Sequence, residues 1–353
     1  MFKIYYSIDG VLERLTRNKS RENTTCGWGR LISTMRNLLV NNGFELVGNP
    51  QEADLELFVG QPLLYLYPQV HPAIILTMYE STLLPKLWVD SINKWDLVIN
   101  PSAWGKNTFI ASGVNVPIEI IPLPVNADKF RYIDRDINSD WVYLTQGVQL
   151  KDRKNVTMVA DVFESGMPDD SYLIVKTLPR ADQPNFNLWV HNQLLLIQEA
   201  FEFNQYLDEI LSISHVSVNP SSSEGFGYLS AESMATGMCT IISDYSAFKD
   251  QLVSGYCLPI KTFEALSNIA VYGGNIGYPD FDDLKKQMLW TYENREKSIE
   301  LGRLSRQFVI DNYSPSIIAD RLVIEFEQVV KHIPKSLNLL TDDDDDRVAH
   351  SYL

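Results

Sequence analysis

Short apolar runs alternate along the chain with stretches in which apolar residues recur every three or four positions. That alternation predicts a mostly parallel β-sheet with helices packed on its faces. In the first half the runs begin at Phe2 (FKIYYSI), Leu55 (LELFVG), Ala73 (AIILTMY), Leu97 (LVIN) and Ile118 (IEIIPL). Helical stretches lie between them, such as LISTMRNLLVNNG from Leu31, where Gly43 is the expected stop. The pattern restarts at Trp141 (WVYLTQG) and continues through Ser171 (SYLIVKT), Leu194 (LLLIQ), His215 (HVSVNP) and Cys239 (CTIISD). A chain of 353 residues is also too long for one ordinary core, so two α/β units are expected, 1–130 and 131–313. The charged segment 130–140 is the expected linker. A long amphipathic helix over 314–334 follows, expected to pack back on the first unit. The polar remainder, 335–353, holds five adjacent carboxylates from Asp342 to Asp346 and is expected to be a disordered tail.

Charge narrows the range of partners. The formal net charge of −15 argues against broad phosphate binding, which needs a basic surface, but leaves room for a local basic site. One such cluster, Arg14, Arg17, Lys19 and Arg21, falls between the first strand and the first helix, where doubly wound domains bind ligands. It reads either as a contact for an anionic acceptor or as a solvated loop partly neutralised by Glu13 and Glu22. Cys26, Cys239 and Cys257 are odd in number and widely spaced, so they read as free thiols. No run approaches the roughly 18–20 apolar residues that cross a bilayer, and the N-terminus has no signal-peptide pattern. A cytoplasmic location is expected, and the Ile-, Asn- and Tyr-rich composition hints at an AT-rich genome and the cytoplasm of a virus-infected host cell.

The chemistry concentrates in NPSSSEGFGYLSAESMATGMCTIISD, from Asn219 to Asp244. A strand ends at Pro220, a polar loop follows, and Gly225, Phe226 and Gly227 lead into a helix near Tyr228. Glycines admit close approach of a ligand to the backbone, and the first helical turn offers free N–H groups at its positive end. Such a cradle suits a diphosphate. Glu224 on the loop and Glu232 inside the helix flank it, and carboxylates accept hydrogen bonds from sugar hydroxyls. The plainer alternative stays open here: Glu224 caps the helix and Glu232 is a surface acid complementing its dipole.

PSSSEGFGYLSAESMATG resembles the donor-site signature of the retaining GT-B glycosyltransferases of glycosyltransferase family 4, the group 1 glycosyltransferases. Three other segments agree in order: MYESTLLPKLWVDSINKWD from Met78, PSAWGKNTFIASGVNVPIEIIPLPVNADKF from Pro101, and GVQLKDRKNVTMVADVF from Gly147. The resemblance implies a GT-B α/β fold, two Rossmann-like domains facing each other across a cleft, with the acceptor on 1–130 and the nucleotide sugar on 131–313. It implies transfer from a nucleoside-diphosphate sugar, most commonly UDP-linked, to an acceptor hydroxyl with retention, the departing phosphate taking the acceptor's proton. By position, Glu224 contacts the donor sugar, Gly225, Phe226, Gly227 and Tyr228 form the cradle, and Glu232 binds the ribose hydroxyls. Lys154 matches a diphosphate-binding lysine.

The departures are specific. The family's arginine after the glycine is missing, since Val148 follows Gly147, and Lys151, Arg153 and Lys176 are the candidate substitutes. Where relatives carry a histidine beside the reacting sugar, Glu80 stands, a third expected catalytic residue beside Glu224 and Lys154. His71 and His215 read as structural. Gly27 and Gly29 follow a long segment that replaces a short glycine-rich loop, and they read either as a phosphate-side approach or as a plain helix start. No strand end carries an Asp-x-Asp, since Asp134 and Asp136 sit in the linker, so metal-independent chemistry with no cofactor is expected. The acceptor stays open among a glycan, a lipid and a modified DNA base, and no stable membrane insertion is expected. Alternatives in the same fold are an epimerase or phosphorylase, and a non-catalytic nucleotide-sugar-binding module.

Overall fold

The computed structural model describes residues 2–8, 27–62, 67–147, 153–177, 188–191, 193–198 and 202–337. The first half forms β1 (Lys3–Ile8), α1 (Gly27–Asn41), β2 (Glu45–Val47), β3 (Leu55–Val59), β4 (Val70–His71), β5 (Ala73–Leu76), α2 (Lys86–Ile92), β6 (Leu97–Asn100), α3 (Ala103–Ser112) and β7 (Ile118–Ile120). Six of these strands make one parallel sheet in the order β2-β1-β3-β5-β6-β7. Every residue of β3, β5 and β6 is buried, as a parallel sheet covered on both faces requires. Glu56 lies inside β3 and is fully buried. Its carboxylate is satisfied by the Ser7 hydroxyl at 2.6 Å and by the backbone N–H groups of Gln69 and Val70 at 2.6 and 3.0 Å.

The second half supplies β8 (Trp141–Gln146), α4 (Val156–Glu164), β9 (Ser171–Thr177), β10 (Leu188–His191), β11 (Leu194–Gln198), β12 (Val216–Asn219), α5 (Tyr228–Ala235), β13 (Cys239–Ser243), α6 (Phe248–Leu252) and β14 (Leu258–Ile260). The sheet order is β10-β11-β9-β8-β12-β13-β14, parallel except for the β10–β11 edge pair. Both sheets are therefore doubly wound. Strand order reverses between β1 and β3 in the first and between β8 and β12 in the second, and such folds bind ligands outside the carboxyl ends of strands at those reversals.

Three features tie the halves together. An antiparallel hairpin, β15 (Thr262–Leu266) and β16 (Asn275–Pro279), projects from the second domain onto the loop after β5. Leu83 bridges to Gly273, Thr82 N–H donates to Asn275 O at 3.1 Å, and Asn275 N–H donates to Thr82 Oγ1 at 2.7 Å. Tyr79 Oη donates to Val271 O at 3.0 Å, and Ser81 Oγ donates to Gly273 O. After α7 (Phe281–Glu293) and α8 (Arg295–Tyr313), helix α9 (Pro315–His332) crosses back to the first domain. There Phe326, fully buried, meets Phe44 edge-on at 5.5 Å. Finally β17 (Ser336–Leu337) pairs with β4 at residues expected in the tail, while 338–353 lie outside the described residues.

The segment 130–140 is not a solvated linker throughout. Arg135 turns inward, 6% exposed, and donates to the carbonyls of Ser214 at 2.6 Å and Thr236 at 2.9 Å. Charge in a sequence marks exposure only when the protein offers no acceptors for it, and here helix-end and loop carbonyls do.

Candidate active site

The carboxyl ends of β8 and β12 lie side by side at the reversal of strand order, and the loop after each carries the expected residues. From β8 the chain passes Gly147 and reaches Arg153, Lys154 and Asn155 before α4. From β12 it runs through Pro220 to Gly227 and enters α5. Hydrogen bonds fix the two loops to each other: Ser222 N–H donates to Arg153 O at 2.7 Å, and Asn155 Nδ2 donates to Pro220 O and Ser222 Oγ, both at 2.8 Å.

Glu224 is 6% exposed, with its backbone N–H on Ser246 Oγ at 2.8 Å. Its Oε1 takes Arg153 Nη1 at 2.9 Å and the Lys154 ammonium. Burial alone would raise the Glu224 pKa. The charges of Arg153 and Lys154, with hydrogen bonds from Lys154 and Ser221, outweigh it and hold the carboxyl down to about 2. Lys154 thus faces Glu224 directly. Glu80, on the loop after β5, completes a chain of groups across the cleft. Its Oε1 is 3.5 Å from Arg153 Nη2, and its Oε2 accepts from Tyr272 Oη at 3.3 Å. Tyr272 comes from the β15–β16 hairpin.

The cradle is built from backbone. Gly227 holds φ +90°, and an added Cβ would fall 2.5 Å from the Phe248 ring, so only glycine fits. A Cβ at Gly225 would fall 2.7 Å from Met78 Sδ, so the first domain closes directly over this loop. The Phe226 ring is buried, edge-on to Tyr228 at 5.3 Å and to Tyr313 at 5.2 Å. Gln251 Nε2 holds the Phe226 and Gly227 carbonyls at 2.9 and 3.2 Å.

Glu232 is 4% exposed, so it is not a surface acid. Its Oε1 takes Arg30 from α1 of the other domain, and its Oε2 has no hydrogen-bond partner. Gln146 Nε2, Ser223 Oγ and Tyr228 Oη share that condition, with Tyr206 Oη donating to Gln146 Oε1 at 2.6 Å. Of the eight buried, unpartnered side-chain polar atoms among the described residues, these four belong to the ends of β8 and β12 and the segments that follow. Interiors normally satisfy such groups, which makes these four atoms candidates for ligand contacts.

Gly27 and Gly29 form the first turn of α1, beside Arg30, with Gly29 O accepting from Ser33 Oγ at 3.0 Å. Val148 and Lys151 lie outside the described residues, as do Arg14, Arg17, Lys19 and Arg21. Lys176, at the end of β9, sits 5.4 Å over the Tyr206 ring. His71 pairs with Asp96 at 2.6 Å, which raises its pKa, and His215 stacks on Trp141 at 4.5 Å, where burial lowers its pKa to about 4. Both are structural. Arg30 and Tyr272 escaped the sequence reading. The first had a faint signal, a cation directly after a glycine, and the second had none. Among the described residues no three His, Cys, Asp or Glu side chains group as metal ligands, and no helix is long and apolar enough to cross a membrane.

The family described as Glycosyl transferases group 1 matches residues 149–268, the span holding the loops just described. No curated protein sequence matches the chain. Among solved structures, Anabaena Alr3699/HepE, in complex with UDP and glucose, superposes with a TM-score of 0.65 at 10% identity, covering 93% of this chain and 100% of its own. Sucrose-phosphate synthase from Thermosynechococcus elongatus gives 0.61 at 13% identity, covering 88% and 80%. A UDP-forming α,α-trehalose-phosphate synthase from Burkholderia vietnamiensis gives 0.56 at 12% identity, covering 78% and 72%. At these identities the likeness is one of fold: GT-B, two Rossmann-like domains.

Proposed function

We propose that this chain is a glycosyltransferase that moves a sugar from a nucleoside-diphosphate sugar, with UDP as carrier, to an acceptor hydroxyl, retaining configuration and needing no metal. One observation carries the reading. An ionised Glu224 precedes, and a buried Glu232 with one unpartnered oxygen follows, a glycine-built helix start. Carboxylates repel phosphate but accept from hydroxyls, so a ligand that suits both carries hydroxyls at its two ends and an anion between them. A nucleotide sugar has that layout. The solved structure of Alr3699/HepE, in complex with UDP and glucose, has the same fold and favours UDP.

The chemistry follows from the charges. A bond forms between the acceptor oxygen and the anomeric carbon, the bond from that carbon to the β-phosphate oxygen breaks, and the acceptor's proton passes to the leaving phosphate. Negative charge grows on that phosphate, so the amides after Glu224 and the Lys154 ammonium stabilise the transition state more than the ground state. Glu80 faces the same cleft from the first domain, against Arg153 and Tyr272 of the second. The acceptor class is a hydroxyl on a glycan, a lipid or a modified DNA base.

A thermal-shift panel of UDP-, GDP- and ADP-sugars, followed by transfer assays in EDTA, tests this reading. A UDP-sugar should raise the melting temperature by mass action, and transfer to an acceptor should survive EDTA. Stabilisation by none of the three would remove the donor site, and loss of transfer restored by Mn²⁺ would remove the metal-free mechanism.

A further inference from the structure

A donor diphosphate carries negative charge into a protein whose own net charge is −15, so the site needs a local cation to hold it. The arginine expected after Gly147 is a valine in this sequence, and the candidate substitutes in the second domain are already engaged or lie outside the described residues. Arg153 spends its guanidinium on Glu224, Glu80 and the Ser223 carbonyl. Lys176 stands over the Tyr206 ring.

Arg30 is differently placed. It sits in the first turn of α1, on the opposite domain, and donates Nη2 to Glu232 Oε1. Its guanidinium lies 6.0 Å from the centre of the Tyr228 ring, the residue that opens α5 at the cradle. Its side chain is 42% accessible, against 5% for that of Glu232, so it has room for a ligand beside the carboxylate it already holds. Arginine offers five N–H donors in a planar fork, and a contact to one carboxylate oxygen leaves the rest to spend. Each of these two neighbours of Arg30 carries a buried, unpartnered oxygen, Oε2 of Glu232 and the Tyr228 hydroxyl.

We infer that Arg30 contacts the diphosphate of the bound donor, supplying from the first domain the charge that Val148 does not supply from the second. The inference rests on the nucleotide-sugar reading above. Arg30 keeps one arm on Glu232, which takes the ribose hydroxyls on its other oxygen, and turns the rest of the fork to the phosphates. Donor binding then engages both domains at once, because the ribose acid and the phosphate cation lie 202 positions apart in sequence and on opposite walls of the cleft.

Titration calorimetry on the full chain separates this role from its neighbours. The probes are UDP, GDP and ADP, the matching monophosphates, and the matching nucleosides. In Arg30→Gln, affinity for the best-binding diphosphate should fall about tenfold or more, while nucleoside affinity changes less than about twofold. Arg30→Lys retains the charge and the pairing with Glu232 but loses the fork, and should show a smaller loss confined to the phosphate-bearing probes. An equal loss for nucleoside and diphosphate would overturn the inference, since Arg30 would then act through Glu232 and the ribose alone. So would unchanged affinity for every probe. If the parent chain bound none of the three diphosphates, the donor site itself would fall, and the proposal with it; a parent that binds UDP while Arg30→Gln does so equally well sinks only the proposal.

Discussion

Single residues in this protein carry charge states set by what they touch. Glu224 is held at about 2, below the ordinary carboxyl value of 4.5, so it stays ionised through the neutral range and acts as an acceptor only. Glu224→Gln should lower turnover roughly 10- to 150-fold, the worth of one charge-assisted hydrogen bond of about 1.5–3 kcal/mol. Lys154→Ala should lower kcat by about 100-fold or more, because its charge meets charge that grows in the transition state. Steady-state kinetics checks both, and parental turnover in either variant would contradict the assignment. His215 offers a test of stability. Its pKa falls from 6.5 to about 4, so between those values the unfolded chain takes a proton that the folded chain refuses. Stability should therefore fall on acidification through that window, by on the order of 3 kcal/mol. His71 does the opposite: its raised pKa stabilises the fold most below the ordinary histidine value, and that contribution is lost as pH rises. His215→Gln should flatten the drop in melting temperature between about pH 6.5 and 4.

At the scale of elements, the loop into α5 shows what sequence can reveal. Its glycines, its two acids and its strand-to-helix transition lie within one short stretch, so local chemistry alone marked the site. Gly227→Ala tests the cradle. The methyl would meet Phe248 at a positive φ, so nucleotide affinity should drop well over tenfold with a measurable loss of melting temperature. Normal affinity in that variant would mean the helix start does not bind phosphate. The parts that sequence did not reveal are those assembled from distant segments. The Arg30–Glu232 contact depends on how two domains face each other, which no periodicity encodes. The β15–β16 hairpin has too little regular alternation to stand out, and Tyr272 gains meaning only beside Glu80. Arg135 misled for a related reason: its partners are carbonyls of segments some 80 to 100 residues away.

At the scale of the whole molecule, helix α9 makes the two domains share one core. Phe326 on that helix lies among Ile4, Leu31 and Phe44 of the first domain's core cluster, which continues into Phe226 and Tyr313 of the second. Phe326→Ala should cost roughly 3–5 kcal/mol and shift a single cooperative unfolding transition downward. Calorimetry resolving two separate transitions would show that the domains unfold independently and that α9 is not the tie. The hairpin joins them a second time, touching Tyr79, Ser81, Thr82 and Leu83 together. Bonds that must break together rather than in succession make separation of the walls a rare, concerted event. On the proposed function, a spent nucleotide held between those walls diffuses away only in such intervals. Its residence time is then governed by the strut between the walls, and since entry passes through the same opening, Thr82→Ala should speed both release and association in stopped-flow measurements.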